Sequence, residues 1–256
     1  MPISDIVATV SPIRCYREGN YLSSASGFFY DFESSLYIIT NRHVFIDENE
    51  GYLPDEISLT LHTNQNDIRQ NSTLRLPLYG TNSQSLWKEH PSGGSNVDVV
   101  ALPLRRDDFN PRFFIKALSP NNHIPADADI SIGEDVHVIG YPLGFHDRIN
   151  NLPIVRSAII ASVYPVPFEG RPIVLIDSRL HSGTSGSPVL TKPTNMLRRT
   201  DGSTSFMTGT VTYLVGVHSA TVDLPDRDPD EDEPLGLNVV WFATLISEII
   251  RGQTAI

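Results

Sequence analysis

The stretch SGTSGSPVL, residues 182–190, decides more about this chain than any other. Glycines at 183 and 186 bracket Ser185, and glycine tolerates the backbone angles of a tight turn that other residues resist. Such a turn exposes the serine hydroxyl and aims consecutive backbone N–H groups at one point. Pro188 then closes the turn, and the apolar residues after it read as a strand. The same alternation of short strand and polar turn runs through the rest of the chain. Strand-sized apolar runs precede it at IVATV (6–10), GFFYDF (27–32), SLYIIT (35–40), EISLTLH (56–62), TLRLPLY (73–79) and VDVVALPL (97–104). More follow at DVHVIGYPL (135–143), RSAIIASVYPV (156–166), RPIVLIDS (171–178), TYLVGVHSATV (212–222) and LGLNVVW (235–241). Gly, Pro, Asn and Asp clusters separate them, as turn chemistry requires.

The stretches between strands lack helical periodicity, so helical crossovers and a parallel sheet are not expected. The pattern is all-β. A turn-rich connection near 118–131 leaves five or six strands on either side, which predicts two six-stranded antiparallel barrels, over 1–118 and 119–241. The exception is FATLISEIIR at 242–251, where Phe242, Leu245, Ile246, Ile249 and Ile250 fall at helical spacing and Gly252 offers a stop. A C-terminal helix docked on the strands is expected there.

Composition closes several doors. The chain has 256 residues, a formal net charge of -11, 40% hydrophobic residues and one cysteine. That hydrophobic content excludes disorder, and no apolar run reaches the about 18 residues of a membrane span. A lone Cys15 excludes an internal disulfide framework. Net negative charge without a basic patch argues against nucleic acid or an anionic membrane as partner. The opening MPISDIVATVSPIRCYREG does not read as a secretory signal, so a cytoplasmic location is the expectation. His62, His90, His123, His137, His146 and His181 show no paired ligand spacing, so neither a metal nor another cofactor is expected.

Two further motifs stand out. In IITNRHVF (38–45) an apolar strand runs into a polar turn bearing His43, where a general base is useful, although a histidine merely satisfied in a strand-end turn is the commoner case. In NVDVVALPL (96–104) Asp98 interrupts an apolar strand, and a carboxylate there costs free energy unless something bonds or neutralises it. Backbone N–H groups could do that alone. The three motifs together have one reading that accounts for all of them. A serine hydroxyl is a poor nucleophile at neutral pH and needs a base, and the base works best when a third group fixes its tautomer. His43, Asp98 and Ser185 supply those parts. An α/β-hydrolase elbow would need glycine at 187, where this chain has Ser187.

The blocks TNRHV, NVDVVALPL and GTSGSPV, in this order, resemble those of trypsin-like, chymotrypsin-fold serine proteases, nearest in flavour to the disulfide-free bacterial branch of HtrA-type and glutamyl-endopeptidase-like enzymes. The resemblance spans about residues 6–251 and implies the double-barrel fold. It implies peptide-bond hydrolysis through an acyl-enzyme, with His43 as general base, Asp98 as its orienting partner and Ser185 as nucleophile. The N–H groups of Gly183 and Ser185 would form the oxyanion hole. The substrate would be a protein or peptide, and any regulation would come from a separate activator or regulatory protein or from a change within the loops of this chain. Thr184 stands where digestive members carry the aspartate that captures a new N-terminus, so activation by propeptide cleavage is not expected.

The family also implies that VGVHSAT (215–221) forms one wall of the primary specificity pocket, with His218, Ser219 and Ala220 near the substrate side chain. Arg179 falls where the pocket floor would be. An acidic preference is one expectation; a structural salt bridge for Arg179 and a backbone bond for His218 is the other. The run DLPDRDPDEDE (223–233), with seven acids and one base, would favour a basic peptide instead. Beside the enzyme stands a second function class, a catalytically silent protease-like binding module.

Overall fold

A computed structural model describes residues 5–109, 112–222 and 235–253, and strands dominate it. Strands β1 (Val10–Arg17), β2 (Asn20–Phe32), β3 (Ser35–Thr40), β4 (Glu56–His62), β5 (Asn71–Pro77) and β6 (Val100–Leu104) form an antiparallel sheet in the order β5-β4-β1-β2-β3-β6. Strands β7 (Asp135–Gly140), β8 (Ile154–Ile160), β9 (Ile173–Asp177), β10 (Pro188–Thr191), β13 (Leu214–Thr221) and β14 (Leu237–Phe242) close into a barrel in the order β10-β13-β14-β9-β8-β7. A separate ribbon pairs β11 (Thr194–Arg198) with β12 (Thr204–Val211). Helices are short: α1 (Arg42–Phe45), α2 (Arg106–Phe109) and α3 (Thr244–Arg251). The mostly-β chymotrypsin-like architecture with a C-terminal helix therefore holds.

Burial explains the arrangement. The first sheet wraps Ile13, Phe29, Ile38, Phe45 and Leu59, with the free thiol of Cys15 packed among them as a small hydrophobe. The barrel encloses Val138, Val174, Val189, Val215 and Val240. A third core lies between the units, where Phe28, Tyr30 and Ile39 meet Ile139, Trp241 and the α3 residues Leu245, Ile246, Ile249 and Ile250. Strand β2 thus buries both faces, which is why its centre reads as a continuous apolar run. Each fully buried side chain of α3 contributes roughly 1.5–3 kcal/mol. Polar bonds then fix the helix: Lys88 Nζ donates to Ile250 O at 2.6 Å, and His90 Nε2 lies 3.0 Å from Glu248 Oε2.

Several boundaries differ from expectation, each for a physical reason. Residues 5–9 form a 3-10 turn, and β1 starts at Val10 and runs through Pro12. Proline is tolerated because the β1–β4 ladder begins only at Ile13. Phe242 closes β14 rather than opening the helix. Gly252 does stop α3, with φ of 68° and its N–H bonded to Glu248 O and Ile249 O. The β11–β12 ribbon had no signal, because exposure on most of its surface leaves no apolar alternation to read. The acidic run 223–233 lies outside the described residues.

Candidate active site

The site is assembled where the two units meet. After β3 the chain passes Asn41 and enters the single turn α1, whose Val44 and Phe45 are buried and hold His43 at the surface of the cleft. Asp98 lies in the extended segment two residues before β6, not inside a strand as its apolar neighbours suggest. Val97 and Val99 on either side are buried in the core between the units, and this alternation turns the Asp98 side chain the other way. Asn41 Nδ2 fastens the Asp98 carbonyl at 2.6 Å.

The carboxylate is fully engaged. Asp98 Oδ1 accepts the backbone N–H of His43 at 2.9 Å, and Oδ2 lies 2.7 Å from His43 Nδ1. Ser219 Oγ donates to the same Oδ2 at 2.5 Å. Burial pushes the Asp98 pKa up, but the bonds and charge of His43 and the Ser219 hydroxyl outweigh it and hold it below 3.8. Burial likewise pushes His43 down, and the Asp98 bond and charge, with the charge of Asp47, outweigh it and hold the ring above 6.5. The carboxylate keeps the ring proton on Nδ1, so Nε2 carries the lone pair.

Ser185 sits on a turn that only glycine permits at two places. The Thr184 N–H bonds His181 O at 3.2 Å, and with φ of 87° at Gly183 the turn has the features of type II. A Cβ on Gly183 would stand 2.8 Å from Tyr141 O, and one on Gly186 would stand 2.1 Å from Ser26 O. Ser26, on β2 of the other unit, staples this turn. Its N–H donates to Ser185 O at 2.9 Å, and its hydroxyl donates to Gly183 O at 2.8 Å while accepting Tyr141 N–H at 2.9 Å. No local pattern in SASGFF signals this, because the bonds exist only once the units dock.

Ser185 Oγ donates to Ser219 O at 3.0 Å and makes no hydrogen bond to His43. Both side chains nevertheless line one cleft of about 390 Å³, together with Ser23, Ser24, Val44, Tyr52, Ser182 and Gly183, and its carboxylates are Asp47 and Glu50. The N–H groups of Gly183 and Ser185 meet no protein acceptor among the described residues. Of the other residues singled out above, Ser219 is committed to Asp98. His218 is buried, with Nδ1 3.0 Å from Thr184 O and Nε2 3.4 Å from Asn238 Oδ1. Ala220 is exposed beside them, and Arg179 is exposed with no ion pair among the described residues. Among those residues no cluster of three or more His, Cys, Asp or Glu could hold a metal, and no helix is long and apolar enough to cross a membrane.

Comparison with known proteins agrees with this architecture. The chain is similar to the Rv3671c protease of M. tuberculosis in its inactive form, with 16% identity, a TM-score of 0.50 and coverage of 99% of this chain and 98% of that one. It is also similar to a serine endoprotease from Yersinia pestis, with 15% identity and a TM-score of 0.50, covering 98% of this chain and 66% of that one. Identities this low speak to fold alone. No curated protein matches the sequence. The family model described as a trypsin-like peptidase domain matches residues 25–197, well over half of the chain. This protein therefore belongs to the trypsin-like peptidase domain family, and its enzyme class is that of the serine endopeptidases.

Proposed function

We propose that the protein cuts peptide bonds through an acyl-enzyme on Ser185, with His43 as general base and Asp98 as its orienting partner. The observation that carries this reading is the 2.7 Å contact of His43 Nδ1 with Asp98 Oδ2, with His43 also lining the cleft that presents Ser185 and two unbonded N–H groups. His43 Nε2 takes the Ser185 proton as Oγ attacks the scissile carbonyl. The developing oxyanion is met by the N–H groups of Gly183 and Ser185. His43 then gives its proton to the leaving amine and afterwards activates the water that releases the acyl group. The substrate is a protein or peptide.

One observation favours a second reading, a catalytically silent protease-like binding module. The Ser185 hydroxyl bonds Ser219 O and makes no hydrogen bond to His43. Energetics weigh against it. A typical hydrogen bond contributes only about 1 kcal/mol net. Turning a side chain that is not buried to another rotamer takes nanoseconds or so, and Ser185 is half-buried. A bound peptide can therefore turn the hydroxyl toward Nε2. Labelling with a fluorophosphonate probe separates the two readings. The enzyme labels at Ser185, and the label disappears in Ser185→Ala; absence of labelling with and without candidate partners would remove the hydrolytic reading.

A further inference from the structure

The unbonded N–H groups of Gly183 and Ser185 are aimed from behind. A trans peptide holds its N–H and the preceding carbonyl on opposite edges of one plane, so whatever fixes the carbonyl fixes the N–H. The Ser182 carbonyl accepts the Leu143 N–H at 2.7 Å, which orients the Gly183 N–H. The Thr184 carbonyl accepts the Ser187 N–H at 3.0 Å, a bond within the turn itself. Its other partner is a side chain, His218 Nδ1, also at 3.0 Å.

We propose that His218 is a positioning residue whose Nδ1–H holds the Thr184 carbonyl and thereby points the Ser185 N–H at the oxyanion. The proposal rests on Ser185 being the nucleophile. It differs from a role for this histidine in reading the substrate side chain, because both ring nitrogens face protein atoms and the residue is only 3% exposed.

The tautomer follows from the neighbours. A carbonyl only accepts, so the 3.0 Å contact needs the proton on Nδ1. Nε2 lies 3.4 Å from Asn238 Oδ1, also an acceptor. That amide is not free to turn over, since its Nδ2 donates to Ser178 O at 2.6 Å and to Gly236 O at 3.1 Å. Burial favours the neutral ring, which has one proton to place, and the shorter contact takes it. Neutral imidazole in water prefers the other tautomer, so the site selects the less common form. The Ser187 bond remains when His218 is removed, so the carbonyl loses one of two anchors and the effect is partial.

The test uses wild type and three variants. In wild type, ¹⁵N NMR of the His218 ring should show Nδ1 protonated and Nε2 not. His218→Asn keeps an N–H donor near the position of Nδ1, His218→Gln carries its amide one carbon further, and His218→Leu has none. For a peptide lacking acidic residues, His218→Leu and His218→Gln should lower kcat on the order of 10- to 100-fold with little change in KM, a fraction of what loss of an oxyanion donor costs. Affinity for a peptide aldehyde, whose hemiacetal oxygen occupies the oxyanion position, should fall in parallel. His218→Asn should recover most of both. Asn and Gln are both polar amides, so their difference isolates the donor position from general damage to the fold. The proposal fails if Nε2 carries the proton, if His218→Asn is as slow as His218→Leu, or if the loss is confined to acidic substrates. Fluorophosphonate labelling of wild type tells the two levels apart. A wild type that labels at Ser185 beside an unimpaired His218→Leu removes only the role of His218, whereas a wild type that never labels takes down both.

Discussion

The two halves of the site are built differently. His43 and Asp98 are locked: the carboxylate holds the His43 backbone with one oxygen, and takes the imidazole and the Ser219 hydroxyl on the other. Ser185 has its backbone fastened across the unit boundary by Ser26, but its hydroxyl is turned to Ser219 O, with no bond to the base. A lock suits the first half, because in the proposed mechanism His43 must hold its proton on Nδ1 whenever it accepts one on Nε2. In the proposed mechanism the hydroxyl changes partners, so a bond that is weak to break suits it. In the first half the reacting side chain itself is fixed; in the second the backbone is fixed, by Ser26 and His218, while the reacting hydroxyl is not bonded to His43.

The sharpest way to break this contrast is to remove each half alone and both together. Ser185→Ala and His43→Ala should each lower kcat by about 10⁶-fold, and the double variant by no more than either single one, because the two act as a unit. Single-turnover hydrolysis of a peptide found for wild type measures it. Additive losses would mean that the halves work independently.

Asp98→Asn should cost about 10⁴-fold in kcat, because an amide can donate to Nδ1 and so favour the wrong tautomer. It also carries a pH signature. His43 accepts a proton only when neutral, so kcat/KM should fall as pH drops through a pKa that Asp98 holds above 6.5. Without the Asp98 charge, burial of the ring is less opposed and the acid limb should move to lower pH. A limb that stays put would detach His43 from Asp98.

Ser26→Ala probes the second half. It leaves Gly183 O and Tyr141 N–H without their buried partner, which should cost about 1–3 kcal/mol of stability, read from denaturant unfolding. The looser turn should slow labelling of Ser185 by about tenfold, a loss on the scale of one net hydrogen bond. Stability lost without slower labelling would show that the staple serves the fold alone.

This contrast also explains what could be read before folding. His43 and Ser185 were legible because their motifs are local: an apolar strand delivers one, and flanking glycines with positive φ carry the other. Asp98 was legible as a carboxylate among valines, yet its strand was set too early, since Val97 and Val99 owe their burial to the core between the units and not to a ladder. Ser26 and the backbone of Leu143 were invisible, because their bonds to the nucleophile turn join residues 39 to 159 positions apart along the chain. His218 was picked out for its place in VGVHSAT, but which way its ring turns depends on Thr184 and Asn238, and no spacing encodes that. Helix α3 was found from its stripe, whereas its start moved because Phe242 is buried equally well as the end of a strand.

Ser219 touches both halves, giving its hydroxyl to Asp98 Oδ2 and its carbonyl to the Ser185 hydroxyl. Ser219→Ala removes the first contact and leaves the second in place, so it loosens the locked half without disturbing the free one. The expected fall in kcat/KM is also about tenfold, near the lower end of what loss of one bond to a charged group costs. Its pH signature should run opposite to that of Asp98→Asn. With one donor fewer, the negative charge on Oδ2 is shared less and draws more strongly on the imidazolium, so the acid limb should move to higher pH. Two substitutions around one carboxylate that shift the same limb in opposite directions identify that limb with His43. Shifts in the same direction would overturn this account of the Ser219 hydroxyl as a partner that draws charge from Asp98.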